Sequence, residues 1–264
     1  MANDVLMALL VVGLVALAAG ILLALASYFF GIKEDETVKE IRALLPGANC
    51  GACGFAGCDE YAKALAEGRA KTNLCVPGGD TTAANIATVL GVEAADVIEM
   101  IAVVHSSGNC NVTSKKAVYD GIQSCKAASM LYAGPGACRF GCVGCGDCAK
   151  ACPYGAICMK DGIAHVDKRL CKGCGMCAKV CPKNLISLVP DTIKVVQGCS
   201  NKEKGAAARK NCQVACIGCK KCELNCPEKA IKVENNLAVI NYELCSGCGK
   251  CVENCPTHCL QLVK

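Results

Sequence analysis

The sequence predicts an α+β protein: an N-terminal apolar helix, a small helical unit carrying four cysteines, and two tandem cysteine-rich modules with short strands. Three observations predict this. Residues 5–32 contain no charged side chain and are mostly Leu, Val, Ala and Gly. The spacing Cys-x2-Cys-x2-Cys-x3-Cys-Pro occurs at Cys142, Cys145, Cys148 and Cys152, and again at Cys171, Cys174, Cys177 and Cys181. It recurs at Cys216, Cys219, Cys222 and Cys226, and at Cys245, Cys248, Cys251 and Cys255. A shift of 74 residues carries the first two runs onto the last two, prolines included.

This spacing is the bacterial ferredoxin run for cubane [4Fe-4S] clusters. Three thiolates wrap three corners of one cube, and the fourth, just before the proline, reaches the neighbouring cluster. Zinc sites use Cys-x2-Cys pairs set further apart. The fold class is therefore a transmembrane helix, a small α-helical cluster domain and two tandem bacterial-type 2[4Fe-4S] ferredoxin modules. The expected boundaries are 1–32 anchor, 33–105 helical domain, 106–137 bridge, 138–190 first module, 191–215 linker and 216–264 second module.

Residues 5–32 are long enough to span a bilayer as one tilted helix. A cleaved signal peptide is the alternative, since Ala24-Leu25-Ala26 has a small-x-small pattern. Against it, the amino end carries Asp4 and no Lys or Arg, and the apolar run is too long. Lys33, Lys39 and Arg42 follow the run, so the positive-inside bias places the bulk of the chain in the cytoplasm. The expected location is the cytoplasmic membrane, single-pass, with the soluble domains facing inward. Ala16, Gly20 and Ala24, one turn apart, suit either packing against other membrane helices or a lipid-facing stripe.

Glu34, Asp35 and Glu36 read as a solvated link into a short helix over 37–45. Then comes a different motif: Cys50, Cys53, Cys58 and Cys75, with Gly51, Gly54 and Gly57 between the first three. Those glycines let backbone amides approach cluster sulfurs closely. Four cysteines without histidine fit zinc or iron–sulfur, and the runs downstream favour iron–sulfur. Residues 59–70, 80–90 and 94–104 read as helices, and the lone His105 as a structural residue. In the modules, hairpins are expected over 156–159 with 163–166 and over 231–233 with 238–240.

Crossed ligation gives Cys142, Cys145 and Cys148 with Cys181, and Cys171, Cys174 and Cys177 with Cys152. In the second module Cys216, Cys219 and Cys222 take Cys255, while Cys245, Cys248 and Cys251 take Cys226. With the Cys50–Cys75 site this makes five clusters. A further pair precedes each module at the same offset, Cys125 with Cys138 and Cys199 with Cys212. Together they supply four thiolates, enough for a sixth cluster between the modules. Free thiols, or Cys110 replacing one ligand, are the alternatives. Cys158 and Cys259 break the repeat and read as buried apolar fillers.

Composition agrees. Twenty-seven cysteines with four Phe and no Trp leave little apolar material for a core, so clusters must supply it. A secreted disulfide scaffold does not repeat this spacing, and cluster thiolates need a reducing compartment. The formal charge of +5 counts every cysteine as neutral. Each oxidised cubane brings roughly −2, so the loaded chain is acidic and no nucleic-acid partner follows from its pI. Cys138-x3-Cys142-x2-Cys145 matches the radical-SAM spacing, but no barrel-sized segment accompanies it. No Gly-x-Gly-x-x-Gly after a strand, P-loop or catalytic triad is present, so no substrate-converting site is expected. The residues support a chain of clusters passing electrons between partners. Lys202, Lys204, Arg209 and Lys210 form either a solvated loop or a docking patch for an acidic ferredoxin.

The order of parts resembles the RnfB family, the B subunits of Rnf complexes. Leu45-Pro46, Gly51-Ala52-Cys53-Gly54, Gly57-Cys58 and Cys75-Val76-Pro77-Gly78-Gly79 are similar to that family's first domain. The duplicated module is similar to the family's longer form rather than to its shorter, single-module members. The resemblance implies a membrane complex that oxidises reduced ferredoxin, reduces NAD and pumps Na⁺ or H⁺. This chain would accept electrons from soluble ferredoxin, with other membrane and peripheral subunits as partners. A polyferredoxin-type subunit of a membrane hydrogenase or dehydrogenase, and a structural zinc module, are the competing readings.

Overall fold

The computed structural model describes residues 2–30 and 35–263. Lys33, Glu34 and the end of the apolar run at Ile32 lie outside them. Helix α1 (Ala2–Phe30) holds the apolar run. Its stretch Leu9–Ala26 is long and apolar enough to cross a membrane, and none of that stretch is buried.

Three helices form the next unit. Helix α2 (Glu36–Leu44) is capped by the Asp35 carboxylate, which accepts from the Thr37 N–H at 3.0 Å. It stops at Leu45, whose extended backbone is set by Pro46. Helix α3 (Cys58–Ala66) begins where the Cys58 N–H donates to Asn49 Oδ1 at 2.8 Å. It ends short of the expected residue 70, because Gly68 turns left-handed at φ +69°. Helix α4 (Gly79–Leu90) ends on the left-handed Gly91. Ile41, Tyr61, Leu65 and Ile86 pack between the three helices, all essentially inaccessible.

The helix expected over 94–104 does not form. Met100–Val104 is a strand, β1, that pairs antiparallel with β4 (Ile186–Pro190) of the first module, Val104 opposite Ile186. Ile101, Ala102 and Val103 are buried by this pairing, which suits their β-branched and small side chains better than an exposed helix would. The strand ties the helical unit onto the first module.

Past α5 (Cys125–Met130), the first module runs α6 (Asp147–Lys150), β2 (Ile157–Lys160), β3 (Ile163–Val166), α7 (Met176–Val180) and β4. Strand β5 (Val195–Gln197) and helix α8 (Gly205–Asn211) lead into α9 (Lys221–Leu224), β6 (Ile231–Glu234), β7 (Leu237–Ile240), α10 (Lys250–Glu253) and β8 (Leu260–Leu262). Hairpins β2–β3 and β6–β7 fall where expected. Strand β8 pairs with β5, Gln197 opposite Leu260, as β4 pairs with β1. Each module thus closes on a strand that precedes it in the chain.

His105 joins the parts. Its ring lies 2.8 Å from the Gln197 carbonyl and 2.6 Å from Ser187 Oγ, and burial lowers its pKa. The neutral ring donates from Nδ1 to the carbonyl and accepts the serine proton at Nε2. Two expectations about the unmatched cysteines separate. Cys259 is buried, whereas Cys158 is exposed on β2, its side chain alternating outward from the buried Ile157.

Candidate iron–sulfur centres

The N-terminal centre is a loop wound around four thiols. Gly51 and Gly54 adopt φ +67° and +88°, turning the chain tightly between Cys50 and Cys58. The α2–α4 core then returns Cys75 to them. Burial pushes the Cys75 thiol up to about 11, with the nearby Cys58, Cys50 and Cys53 thiols adding to the rise.

In the first module Cys181 lies near the Cys142 run and Cys152 near the Cys171 run. Burial raises the Cys148 thiol to about 11, with Cys142, Cys125 and Cys181 as the surrounding thiols. Burial likewise raises Cys177 to about 12 beside Cys171 and Cys174, and Cys174 has Cys152 and Cys171 for neighbours. The second module repeats the pattern. Cys222 rises to about 11 through burial, then Cys216, Cys219 and Cys255; Cys251 rises to about 11 through burial, then Cys245, Cys226 and Cys248.

Backbone amides already point at several of these sulfurs. Ala102 N–H donates to Cys171 Sγ at 3.3 Å, Ala156 N–H to Cys152 Sγ at 3.4 Å and Leu185 N–H to Cys181 Sγ at 3.4 Å. Such donors stabilise thiolates and tune cluster potential. Among the described residues no three His, Cys, Asp or Glu side chains close on a single ion. Four cysteines per centre without histidine, with backbone amides donating to their sulfurs, fit a cubane.

The remaining group is placed differently from its sequence pairing. Cys138, Cys199 and Cys212 line one cavity between the modules, with Ser106 and Asn201. Asn201, fully buried, sets its Nδ2 3.7 Å from Cys138 Sγ. Cys125 does not join them. Its N–H donates to Asp147 Oδ2 at 2.8 Å, and its thiol lies among Cys142, Cys145 and Cys148. Counting cysteines alone aligned Cys125 with Cys199; the fold separates them because the chain between β1 and the first run is longer than that between β5 and the third.

Tyr154 is a site residue that no sequence motif marks. It follows Cys152-Pro153, and its hydroxyl is buried with no hydrogen-bond partner. Its pKa is pushed up to about 12 by burial, then by the Cys174 thiol on one side and Cys50, Cys75 and Cys58 on the other. It therefore stands between the N-terminal centre and the Cys171 centre. Lys179 Nζ, donating to the Cys50 carbonyl, bridges the same gap. An unpaired buried hydroxyl costs about 1–3 kcal/mol, which a sulfur acceptor on a bound cluster would offset. Tyr154→Phe is expected to leave iron content unchanged and shift one of these two clusters to more negative potential, read by redox-titrated EPR.

These centres define a multi-cluster iron–sulfur protein of the bacterial ferredoxin type. Family models agree: an Fe-S cluster model matches residues 45–77, and a 4Fe-4S dicluster domain matches 141–185 and 215–259, with another dicluster model over 170–231. The chain is 41% identical over 92% of its length, and 86% of the relative's, to the B subunit of the proton-translocating ferredoxin:NAD(+) oxidoreductase complex of Clostridium ljungdahlii. It is 40% identical, again over 92% of its length and 73% of the relative's, to the B subunit of the Na(+)-translocating ferredoxin:NAD(+) oxidoreductase complex of Acetobacterium woodii. The B subunit of the ion-translocating oxidoreductase complex of Methanosarcina acetivorans is 40% identical over 86% of each chain. The chain belongs to the RnfB family, the B subunits of ion-translocating ferredoxin:NAD oxidoreductase (Rnf) complexes.

Proposed function

We propose that this chain takes electrons from reduced ferredoxin and relays them through a row of [4Fe-4S] clusters to other subunits of a redox-driven ion pump. The observation that carries this reading is the adjacency of the centres. The N-terminal centre meets the Cys171 centre across Tyr154, and Cys177 lies beside Cys148 of the Cys142 centre. Clusters seated there form a continuous path with no substrate pocket required.

The ligand sets are Cys50, Cys53, Cys58 and Cys75; Cys142, Cys145, Cys148 and Cys181; Cys171, Cys174, Cys177 and Cys152; Cys216, Cys219, Cys222 and Cys255; and Cys245, Cys248, Cys251 and Cys226. A sixth cluster is held by Cys138, Cys199 and Cys212, linking the modules. Helix α1 is a single membrane anchor, and the basic side chains that follow it keep the clusters on the cytoplasmic side. Lys202, Lys204, Arg209 and Lys210 offer a basic face to an acidic ferredoxin.

The test is anaerobic isolation of the full chain in detergent, iron and sulfide quantitation, and mixing with reduced ferredoxin under EPR. About 24 iron per chain and cluster reduction by ferredoxin are expected. Zinc in place of iron, or clusters that reduced ferredoxin leaves oxidised, would sink the reading.

A further inference from the structure

The cavity between the modules has an approximate twofold symmetry that the cysteine pattern hides. His105 N–H donates to the Leu185 carbonyl at 2.7 Å, and Gly198 N–H to the Cys259 carbonyl at 2.6 Å. Leu185 and Cys259 occupy the same place in the two modules, so His105 corresponds to Gly198 and Ser106 to Cys199. The contacts across the cavity obey this exchange. Ser107 N–H donates to the Gly198 carbonyl at 2.8 Å, and Ser200 Oγ donates to the His105 carbonyl at 3.0 Å. A Cβ on Gly108 would lie 3.0 Å from Cys212 Sγ, just as Asn201 lies against Cys138 Sγ.

Most telling is the pair of amide donors at the first cysteine of each module. Cys216 N–H donates to Cys199 Sγ at 3.2 Å, across 17 residues of sequence. Cys142 N–H donates to Ser106 Oγ at 3.0 Å, across 36 residues. The same donor meets the same position, which holds a thiol in one half and a hydroxyl in the other. The longer first connection is why matching by cysteine selects Cys125 and passes over Ser106.

We propose that Ser106 is the fourth ligand of the cluster held by Cys138, Cys199 and Cys212, giving a three-thiolate, one-alkoxide site at the junction of the modules. The inference rests on the reading that these three cysteines hold a cluster. Ser106 is buried and lines the same cavity as the three thiols. On binding, an Oγ–iron bond forms and the hydroxyl proton leaves to solvent; no electron is transferred in this step. The Cys142 N–H stabilises the resulting anionic oxygen, as amide donors stabilise ligating thiolates.

The test uses the anaerobically isolated full chain with Ser106→Ala, Ser106→Cys, Cys125→Ala and Cys138→Ala, followed by iron counting and EPR before and after mild oxidation. Ser106→Ala is expected to lose about one iron of 24 on oxidation and to show a new three-iron signal absent from the unaltered chain. Ser106→Cys is expected to keep all its iron and to move one cluster to higher potential, because thiolate replaces the harder oxygen donor. Cys125→Ala, which touches the Cys142 centre instead, should leave the signal of the junction cluster in place, and Cys138→Ala should lose about four iron. If Ser106→Ala shows no three-iron signal while Cys138→Ala loses iron, a cluster is present and Ser106 does not ligate it. Loss of the junction cluster's own signal in Cys125→Ala would also overturn the assignment. If Cys138→Ala keeps all its iron, the cluster reading itself fails.

Discussion

Stripping the iron from the folded chain, by mild oxidation with a chelator, is expected to unfold both ferredoxin modules and to spare the α2–α4 unit. The difference lies in what each core is made of. Around the second module the buried cluster holds fifteen residues, and seven of them are cysteines: Cys199, Cys212, Cys216, Cys222, Cys251, Cys255 and Cys259. The others are chiefly Ala and single aliphatic side chains, with no large aromatic among the fully buried positions. Without metal those thiols are a set of polar, crowded groups, and metal binding free energies of about 10 kcal/mol or more per site are folding free energy. The α2–α4 unit instead packs Ile41, Tyr61, Leu65 and Ile86 on one another, with Tyr61 Oη donating to the Lys71 carbonyl at 2.7 Å. Limited proteolysis of the iron-free chain should digest 106–263 rapidly and leave a resistant helical fragment from the first part. Survival of a module-sized fragment of similar resistance would show that the modules hold together without their clusters.

The parts legible in the sequence were those written as rigid local patterns. The four cysteine runs determine tight turns, because each places thiols at a spacing only one wrapping satisfies, and their hairpins follow from strand–turn–strand alternation. Helices α2 and α4 carry caps and stops in plain view, Asp35 and Pro46 for the first and Gly91 for the second. What was not legible depends on partners distant in the chain. Met100–Val104 is strand because β4 lies alongside it, and nothing within the segment itself announces that neighbour. Ser106 was missed for the same reason. A serine has no place in a count of cysteines, and its correspondence with Cys199 exists only in the pairing of β1 with β4 and of β5 with β8. Tyr154 likewise becomes notable only once the helical unit is laid against the first module.

The repeat supplies its own control for one cysteine outside the ligand sets. Removing Cys181 together with Cys125, whose thiol lies among the same ligands, is expected to cost the first module a cluster, whereas removing the Cys181 counterpart Cys255 alone is expected to leave the second module's cluster in place. The second module's spare thiol is the residue four positions on. Leu185 is buried there in the first module, and Cys259 in the second. Cys259 Sγ is 3.6 Å from Cys255 Sγ, and the Cys216 thiol is its other close neighbour. Holding its single proton between them, Cys259 shares it with one neighbour at a time, which draws the Cys255 and Cys216 thiols below the usual range. A side chain so placed can lose that proton and take over the vacated iron after a short rotation, without moving the backbone. Cys181→Ala with Cys125→Ala should therefore lose about four iron per chain, Cys255→Ala close to none, and Cys255→Ala with Cys259→Leu about four again. The leucine is the residue the first module uses at that place, so the double variant keeps a packing the fold already tolerates. If Cys255→Ala alone loses as much iron as that first-module double variant, Cys259 serves only as a hydrogen-bonding neighbour. Its replacement by Leu in the otherwise unaltered chain should then shift the potential of that cluster without changing the iron count.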